Sequence, residues 1–163
     1  MKVYGVTGWK NSGKTGLMER LVVEIINRGL SVSTVKHAHH TFDIDKQGKD
    51  SDRHRQAGAK EVLLSSSKRF ALIHEFRDEK EPPLARLLDR LSPVDLVLIE
   101  GYKWDQHPKI EAHRKETGQS IRAVHDSTIH AVASNENMKL DKPVFDLDDT
   151  LAIADFILVE TGF

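Results

Sequence analysis

The chain contains the stretch Gly8-Trp9-Lys10-Asn11-Ser12-Gly13-Lys14-Thr15, which fits the pattern G-x-x-x-x-G-K-[ST] without a gap. Loops of this pattern place backbone N–H groups around phosphate oxygens, and their glycines permit the tight curvature that this requires. Lys14 is expected to reach the β- and γ-phosphates, and the Thr15 hydroxyl to bind Mg²⁺. The sequence therefore predicts that this loop, with Gly16 after it, binds a nucleoside triphosphate and magnesium, and that Lys14 has a catalytic role.

The residues on either side of the loop predict the secondary structure that a phosphate loop needs. Residues 2–7 are rich in β-favouring types, and Leu17, Leu21 and Ile25 recur at the spacing of a helix with one apolar face. A second strand is predicted at residues 31–36. A strand, a crossover helix and another strand form a βαβ unit, in which the two strands are parallel.

The rest of the chain predicts further strands and helices of an α/β protein. Strands are expected at residues 61–65, 70–74, 95–100, 109–112, 130–134 and 143–145, and helices at 51–59, 84–91 and from Asp148 onward. The predicted fold is a three-layer sandwich with a mostly parallel central sheet of the P-loop NTPase type and some antiparallel edge strands. A length of 163 residues fits one nucleotide-binding domain over residues 1–163.

Composition excludes several classes of partner. The chain has no cysteine, which excludes disulfides and thiolate metal sites. Its 24 basic and 25 acidic residues leave a net charge of -1, so no overall field favours nucleic acid or an anionic membrane. No apolar run approaches the roughly 20 residues that cross a bilayer. We expect a cytoplasmic protein with no nucleic-acid or membrane partner.

Glu100 is the predicted second ligand for magnesium and a second catalytic candidate. It follows four consecutive apolar residues, 96–99, as expected for a strand buried on both faces, and Gly101 follows it. The carboxyl ends of parallel strands face the ligand crevice, where an acid can hold Mg²⁺ directly or through water. A solvated glutamate at a strand end is the alternative. Asp95 lies at the opposite end of this strand and is expected to be structural.

A polar segment after the second strand contains histidines, acids and bases, and its function stays open. It could sense the γ-phosphate and help to hold Mg²⁺ through Asp43 or Asp45. It could bind a transition metal through its histidines, or an anionic ligand through its basic residues, Arg55 included. It could also be an ordinary surface loop. The candidates for contact with a second ligand are Lys36, His37, His39, His40, Asp45, Lys49 and Arg53.

Two further positions lie after predicted strands. Tyr102-Lys103-Trp104 follows Glu100-Gly101 and could contact a partner or a substrate, although loop aromatics often only pack. Asn135 lies where P-loop proteins often place residues that recognise the base, and an ordinary turn is an equal interpretation. The sequence contains no N-K-x-D guanine motif.

Taken together, these motifs resemble the B-protein family of molybdopterin-guanine dinucleotide biosynthesis adapters. The similarity is strong over the N-terminal two-thirds and looser in the last third, and its histidine block is more specific than its phosphate loop. It lies in the Gly8–Thr15 loop, residues 34–40 with 42–45 and 48–51, residues 53–55 with 57–59, and residues 98–103. Gly16 departs slightly from the pattern, because many such loops have a second threonine there.

This resemblance implies a dimeric GTP-binding protein with weak GTPase activity. It implies a role beside the guanylyltransferase, the enzyme that joins GMP to molybdopterin, with molybdopterin itself as a further candidate ligand. The same branch of P-loop proteins includes dethiobiotin synthetase and nickel-insertion GTPases. Two alternatives therefore stay open: an ATP-dependent small-molecule kinase or ligase, and a metallochaperone gated by nucleotide.

Overall fold

The computed structural model describes residues 1–38 and 42–163. The chain forms two compact units, one comprising Met1–His37 with Leu88–Phe163 and the other Ala38–Leu87. The single domain expected from chain length stays a prediction. Among the described residues, no helix is long and apolar enough to cross a membrane.

The described residues form eight strands and four α-helices. The strands are β1 (Lys2–Thr7), β2 (Val32–Lys36), β3 (Glu61–Ser65), β4 (Phe70–His74), β5 (Leu96–Glu100), β6 (Lys109–His113), β7 (Ile129–Ser134) and β8 (Val144–Asp146). The helices are α1 (Lys14–Asn27), α2 (Asp50–Gln56), α3 (Leu84–Leu88) and α4 (Thr150–Thr161).

The central sheet of the first unit has six strands in the order β2-β5-β1-β6-β7-β8. Every neighbouring pair in it is parallel. The carboxyl ends of β2, β5 and β1 lie at one edge. There Glu100 of β5 stands between two register partners, Lys36 of β2 on one side and Val6 of β1 on the other. This arrangement confirms the predicted α/β class and brings the ends of distant segments together.

Apolar side chains on both faces of the sheet account for its layers. Helices α1 and α4 pack on one face through Leu21, Ile25 and Ile157, against β-strand residues such as Tyr4 and Leu98. The opposite face of β7 is covered by a 3₁₀ turn, Arg122–Val124, through the contact of Ala123 with Ile129 and Val132. Residues 96–99 of β5 are completely buried, as their uninterrupted apolar run predicts.

The final helix begins at a capping residue, and of the two aspartates that the sequence offers for this position, Asp148 and Asp149, the structure uses the second. Asp149 is the N-cap of α4, and its Oδ1 accepts a hydrogen bond from the backbone N–H of Ala152 at 3.1 Å. This contact satisfies one of the open N–H groups of the first turn. Asp95 has the structural role expected of it, since its Oδ2 accepts hydrogen bonds from the backbone and hydroxyl of Ser31 at 2.7 and 2.6 Å.

The second unit contains α2 and the hairpin of β3 and β4. These two strands are antiparallel and form a separate two-stranded sheet. The sequence predicts antiparallel strands at an edge of the central sheet, and the structure instead pairs them with each other. Leu63, Phe70 and Leu72 leave one face of this hairpin apolar and exposed.

A half-buried histidine packs on β1 in the first unit. An ideal Cβ placed on Gly5 would lie 2.6 Å from Nε2 of His107, so the glycine makes room for the imidazole. Neither ring nitrogen of His107 has a hydrogen-bond partner among the described residues. Burial, with a smaller contribution from the charge of Lys109, lowers the pKa of His107 to about 4.

We predict that His107 makes the fold less stable in acid. The unfolded chain takes up a proton near the ordinary histidine pKa of about 6.5, whereas the folded chain does so only near 4. Stability should therefore fall as the pH decreases from about 6.5 to about 4. In His107→Gln the urea midpoint should decline less steeply across this window. Substitution of the exposed His54 by Gln is the control, and identical slopes for all three proteins would contradict the prediction.

Candidate functional site

The loop between β1 and α1 has the backbone geometry of a phosphate cradle. Gly8, Asn11 and Gly13 have φ values of 137°, 65° and 92°. A Cβ on Gly8 would lie 2.3 Å from the carbonyl oxygen of Ala112, so the turn requires glycine. Gly13 precedes α1 and has no side chain to cap it, which leaves N–H groups of the first turn available for an anion.

Lys14 lies against its own loop. Its Nζ donates a hydrogen bond to the carbonyl oxygen of Trp9 at 2.5 Å. Burial lowers the pKa of Lys14, the Glu100 carboxylate raises it, and the ammonium groups of Lys103 and Lys36 lower it further. Two ammonium groups and one carboxylate from outside the loop therefore act on Lys14. This excess of positive charge suits a polyphosphate.

Ser12 is a second sign that the loop is built for a ligand. The residue is buried, and its hydroxyl oxygen has no hydrogen-bond partner within residues 1–38 and 42–163. Buried polar groups in folded proteins nearly always have a partner. A phosphate oxygen in the cradle is a suitable acceptor for this hydroxyl.

Thr15 and Glu100 meet at the end of the sheet. The Thr15 hydroxyl donates a hydrogen bond to Glu100 Oε1 at 3.4 Å, and Lys36 Nζ lies 3.4 Å from Glu100 Oε2. The Glu100 side chain is only 12% exposed. A hydroxyl and a carboxylate beside a phosphate cradle are oxygen ligands of the kind that Mg²⁺ uses, so the residues fit the predicted metal.

The structure describes only part of the predicted histidine segment. His37 stacks on Tyr102 with ring centroids 4.6 Å apart. His39 and His40 lie outside the described residues, so a transition-metal site that includes them stays a prediction. Within the described part of the chain, no group of three or more histidine, cysteine, aspartate or glutamate side chains is placed to hold a metal ion.

The acids of the segment belong to the second unit, where they surround Arg55. Asp45 accepts hydrogen bonds from Arg55 Nη2 at 2.6 Å and from Nε at 3.1 Å, and its side chain is 3% exposed. The same guanidinium has three further carboxylate neighbours: Glu75 at 2.7 Å, Asp52 at 3.2 Å and Asp43 at 3.6 Å. The hydrogen bonds from Arg55 lower the pKa of Asp45. These contacts stabilise the unit itself, and magnesium binding by Asp43 stays a prediction.

The remaining candidates of this segment are exposed in the second unit. Lys49 precedes α2 as its N-cap residue, and Arg53 lies within that helix. Both side chains are exposed. Their contact with a second ligand stays a prediction.

Three residues near the loop were not indicated by the sequence. Arg114 lies beside the second glycine of the loop, since a Cβ on Gly13 would be 3.0 Å from its Nε. The indole of Trp9 donates a hydrogen bond to the carbonyl oxygen of Ser120 at 2.8 Å, and Arg122 lies near the same ring. Trp9 is more than 110 positions from Ser120 in the sequence, so no local spacing of residues could have predicted their contact.

Asn135 is engaged within the protein. Its Oδ1 accepts a hydrogen bond from the backbone of Lys115 at 3.1 Å. Its Nδ2 donates to both carboxylate oxygens of Glu116, at 3.0 and 2.9 Å. These bonds fasten the 3₁₀ turn Lys115–Thr117 to the end of β7, as in the turn interpretation.

A mostly parallel sheet with this loop between its first strand and first helix defines a P-loop protein of the NTPase fold class. A family model described as molybdopterin guanine dinucleotide synthesis protein B matches residues 3–135. The chain belongs to this family.

Curated relatives and solved structures agree with this assignment. The chain is 40% identical to a molybdopterin-guanine dinucleotide biosynthesis adapter protein of Haemophilus influenzae, over 94% of this chain and 85% of the relative. It is 38% identical to the adapter protein of Escherichia coli, over 92% and 87% of the two chains. The structure of a MobB homologue from Bacillus stearothermophilus matches with a TM-score of 0.73 and 30% identity, over 99% of this chain and 98% of the other. Bacillus subtilis MobB matches with a TM-score of 0.78 and 26% identity, over the same shares.

Proposed function

We propose that this chain is an adapter of molybdopterin guanine dinucleotide biosynthesis that binds GTP with Mg²⁺ and hydrolyses it slowly. The observation that supports nucleotide binding best is the convergence of the phosphate loop with Lys36, Glu100 and Lys103 at one edge of the sheet. Membership of the family supports the pathway, and the proposed preference for GTP is suggested by the guanine of the dinucleotide after which its relatives are named.

The chain's own residues suggest how the triphosphate is held. Backbone N–H groups of the loop and of the first turn of α1 face the phosphates. Lys14, which now donates to the neutral carbonyl of Trp9, gains a stronger charged acceptor when it turns to a phosphate oxygen. Thr15 and Glu100 would hold the magnesium ion, which would neutralise part of the phosphate charge.

The adapter role implies partners. The proposed protein partner is the enzyme that joins GMP to molybdopterin, and molybdopterin is a candidate second ligand. We also propose a homodimer, in which the exposed apolar face of the β3–β4 hairpin is surface that an interface would bury. We also propose that the protein is cytoplasmic, since a chain without cysteine forms no disulfides and so does not depend on an oxidising compartment.

The first prediction tests the phosphate loop. Lys14→Ala should weaken GTP binding by roughly ten- to a hundredfold without unfolding the chain, because a charge-assisted phosphate contact contributes about 1.5–3 kcal/mol. Calorimetric titration with GTP and with ATP measures both the affinity and the base preference. The exposed Lys139→Ala is the charge-matched control. Unchanged affinity in Lys14→Ala would refute nucleotide binding at this loop, and tighter binding of ATP would favour a kinase or ligase.

A second prediction concerns magnesium. Glu100→Gln keeps the shape of the side chain and removes its charge, so GTP binding should become less dependent on Mg²⁺, and hydrolysis should decrease more than binding. Asp95→Asn is the control, since it removes a charge from the opposite end of β5. A magnesium titration of the Gln variant that matches wild type would leave Glu100 as a strand-end residue only.

A third prediction is that the isolated protein hydrolyses GTP more slowly than about one turnover per second. The cations that influence Lys14 are lysines, whereas an arginine inserted by a partner accelerates related enzymes by about 10³ to 10⁵. Steady-state phosphate release by the purified protein is the measurement. Turnover above about one per second without a partner would contradict an adapter role and favour the kinase or ligase alternative.

A further inference from the structure

A cavity of about 420 Å³ lies next to the phosphate loop in the first unit. It is lined by residues 103–106, 120–122 and 125–128. Its volume is in the range of clefts that bind small molecules. The proposed triphosphate site does not use these residues, apart from the charge of Lys103.

One tryptophan of the chain, Trp104, lines this cavity, and the other, Trp9, lies beside lining residues of it. Trp104 lines it and is 83% exposed, and the guanidinium carbon of Arg122 lies 4.5 Å from the centroid of its ring. The same guanidinium carbon lies 5.9 Å from the ring of Trp9. One face of the Trp104 indole therefore rests on a cation, while most of its surface is free to stack on a planar ligand.

Arg122 is held in place through its backbone, and its side chain forms a long ion pair with Asp126. Its backbone N–H and that of Ala123 donate to the buried carboxylate of Glu111, at 3.1 and 2.8 Å. Among the described residues, its side chain forms an ion pair with Asp126, with 3.7 Å between Nη2 and Oδ2. Its buried Nε has no hydrogen-bond partner among residues 1–38 and 42–163. A rigid guanidinium with such loose pairing is suited to an anionic group.

Lys103 connects the cavity with the phosphate loop. Its Nζ lies 5.4 Å from the centroid of Trp9, a residue of the loop itself. Lys103 also lines the cavity. A ligand here would thus meet two cations, Lys103 and Arg122, and two carboxylates, Asp105 and Asp126, beside an open aromatic surface.

We propose that this cavity binds a second ligand, a planar aromatic heterocycle that bears a phosphate. The ring stacks on Trp104, and the phosphate pairs with Arg122 and Lys103. A purine nucleotide and a pterin phosphate both have this chemistry. The site shares Lys103 with the proposed triphosphate site but does not need the phosphate loop, so it can be tested even if that loop binds nothing.

The experiment is a calorimetric titration of the full chain with GMP and, separately, with neopterin monophosphate. Both titrations are repeated in Lys14→Ala, which disables the phosphate loop. Binding of at least one probe is expected to persist in Lys14→Ala. Whichever probe binds identifies the source of the heterocycle. Absence of binding by both probes would overturn the proposal.

Substitutions at Trp104 then locate the bound probe. Because Trp104 is so exposed, the Trp104→Ala variant should fold normally. Its affinity for the probe should be lower than that of wild type by roughly five- to a hundredfold, because the stacking contact is lost. Trp104→Phe should restore most of the affinity, and Phe70→Ala, which removes an exposed aromatic ring from the second unit, should have no effect. Equal affinity in Trp104→Ala and wild type would overturn the proposal.

Discussion

The close approach of Gly8 to the carbonyl of Ala112 is the constraint on which the site depends. A side chain at residue 8 would lie 2.3 Å from that oxygen, so β1 and β6 can come together at this edge only through glycine. The chain can then turn through Asn11 and Gly13, both at positive φ, and start α1 with open N–H groups. Because β6 approaches the loop here, Arg114, which follows β6, lies beside Gly13. Glu111 of β6 accepts a hydrogen bond from the backbone N–H of Arg122.

Electrostatics explains why this edge of the sheet favours a ligand. Parallel pairing of β2, β5 and β1 brings Lys36, Glu100 and Thr15 together, although the three are far apart in sequence. Burial removes hydration from Lys14 and two further ammonium groups act on it, so its pKa is lowered although the Glu100 carboxylate acts in the opposite direction. A polyphosphate relieves both costs at once, because it replaces repulsion between cations with attraction to an anion.

Sequence patterns predicted the parts of the structure that follow from local rules. The phosphate loop, the apolar run of β5 and the strand-end position of Glu100 are examples, because parallel strands must end at one edge. The contact of Trp9 with Ser120 and the stacking of Arg122 on Trp104 follow from tertiary packing, which has no sequence period. Metal binding by the acids at 43 and 45 stays a prediction, and their ion pairs with Arg55 could not be predicted, since charge alone does not specify a partner.

Trp9 belongs to both the phosphate loop and the surroundings of the cavity, and this has a thermodynamic consequence. Its carbonyl accepts the hydrogen bond of Lys14, while its ring lies near Lys103 and Arg122 and is fixed by Ser120. When Lys14 turns to a phosphate, the constraint on the Trp9 carbonyl is released, and any shift of the indole is felt by both cations. Binding at the two proposed sites would then be coupled, because linkage requires each ligand to change the affinity of the other by the same factor. If the chain holds nucleotide and hydrolyses it slowly, as proposed, occupancy of the phosphate loop would alter affinity at the cavity for as long as the nucleotide stays bound.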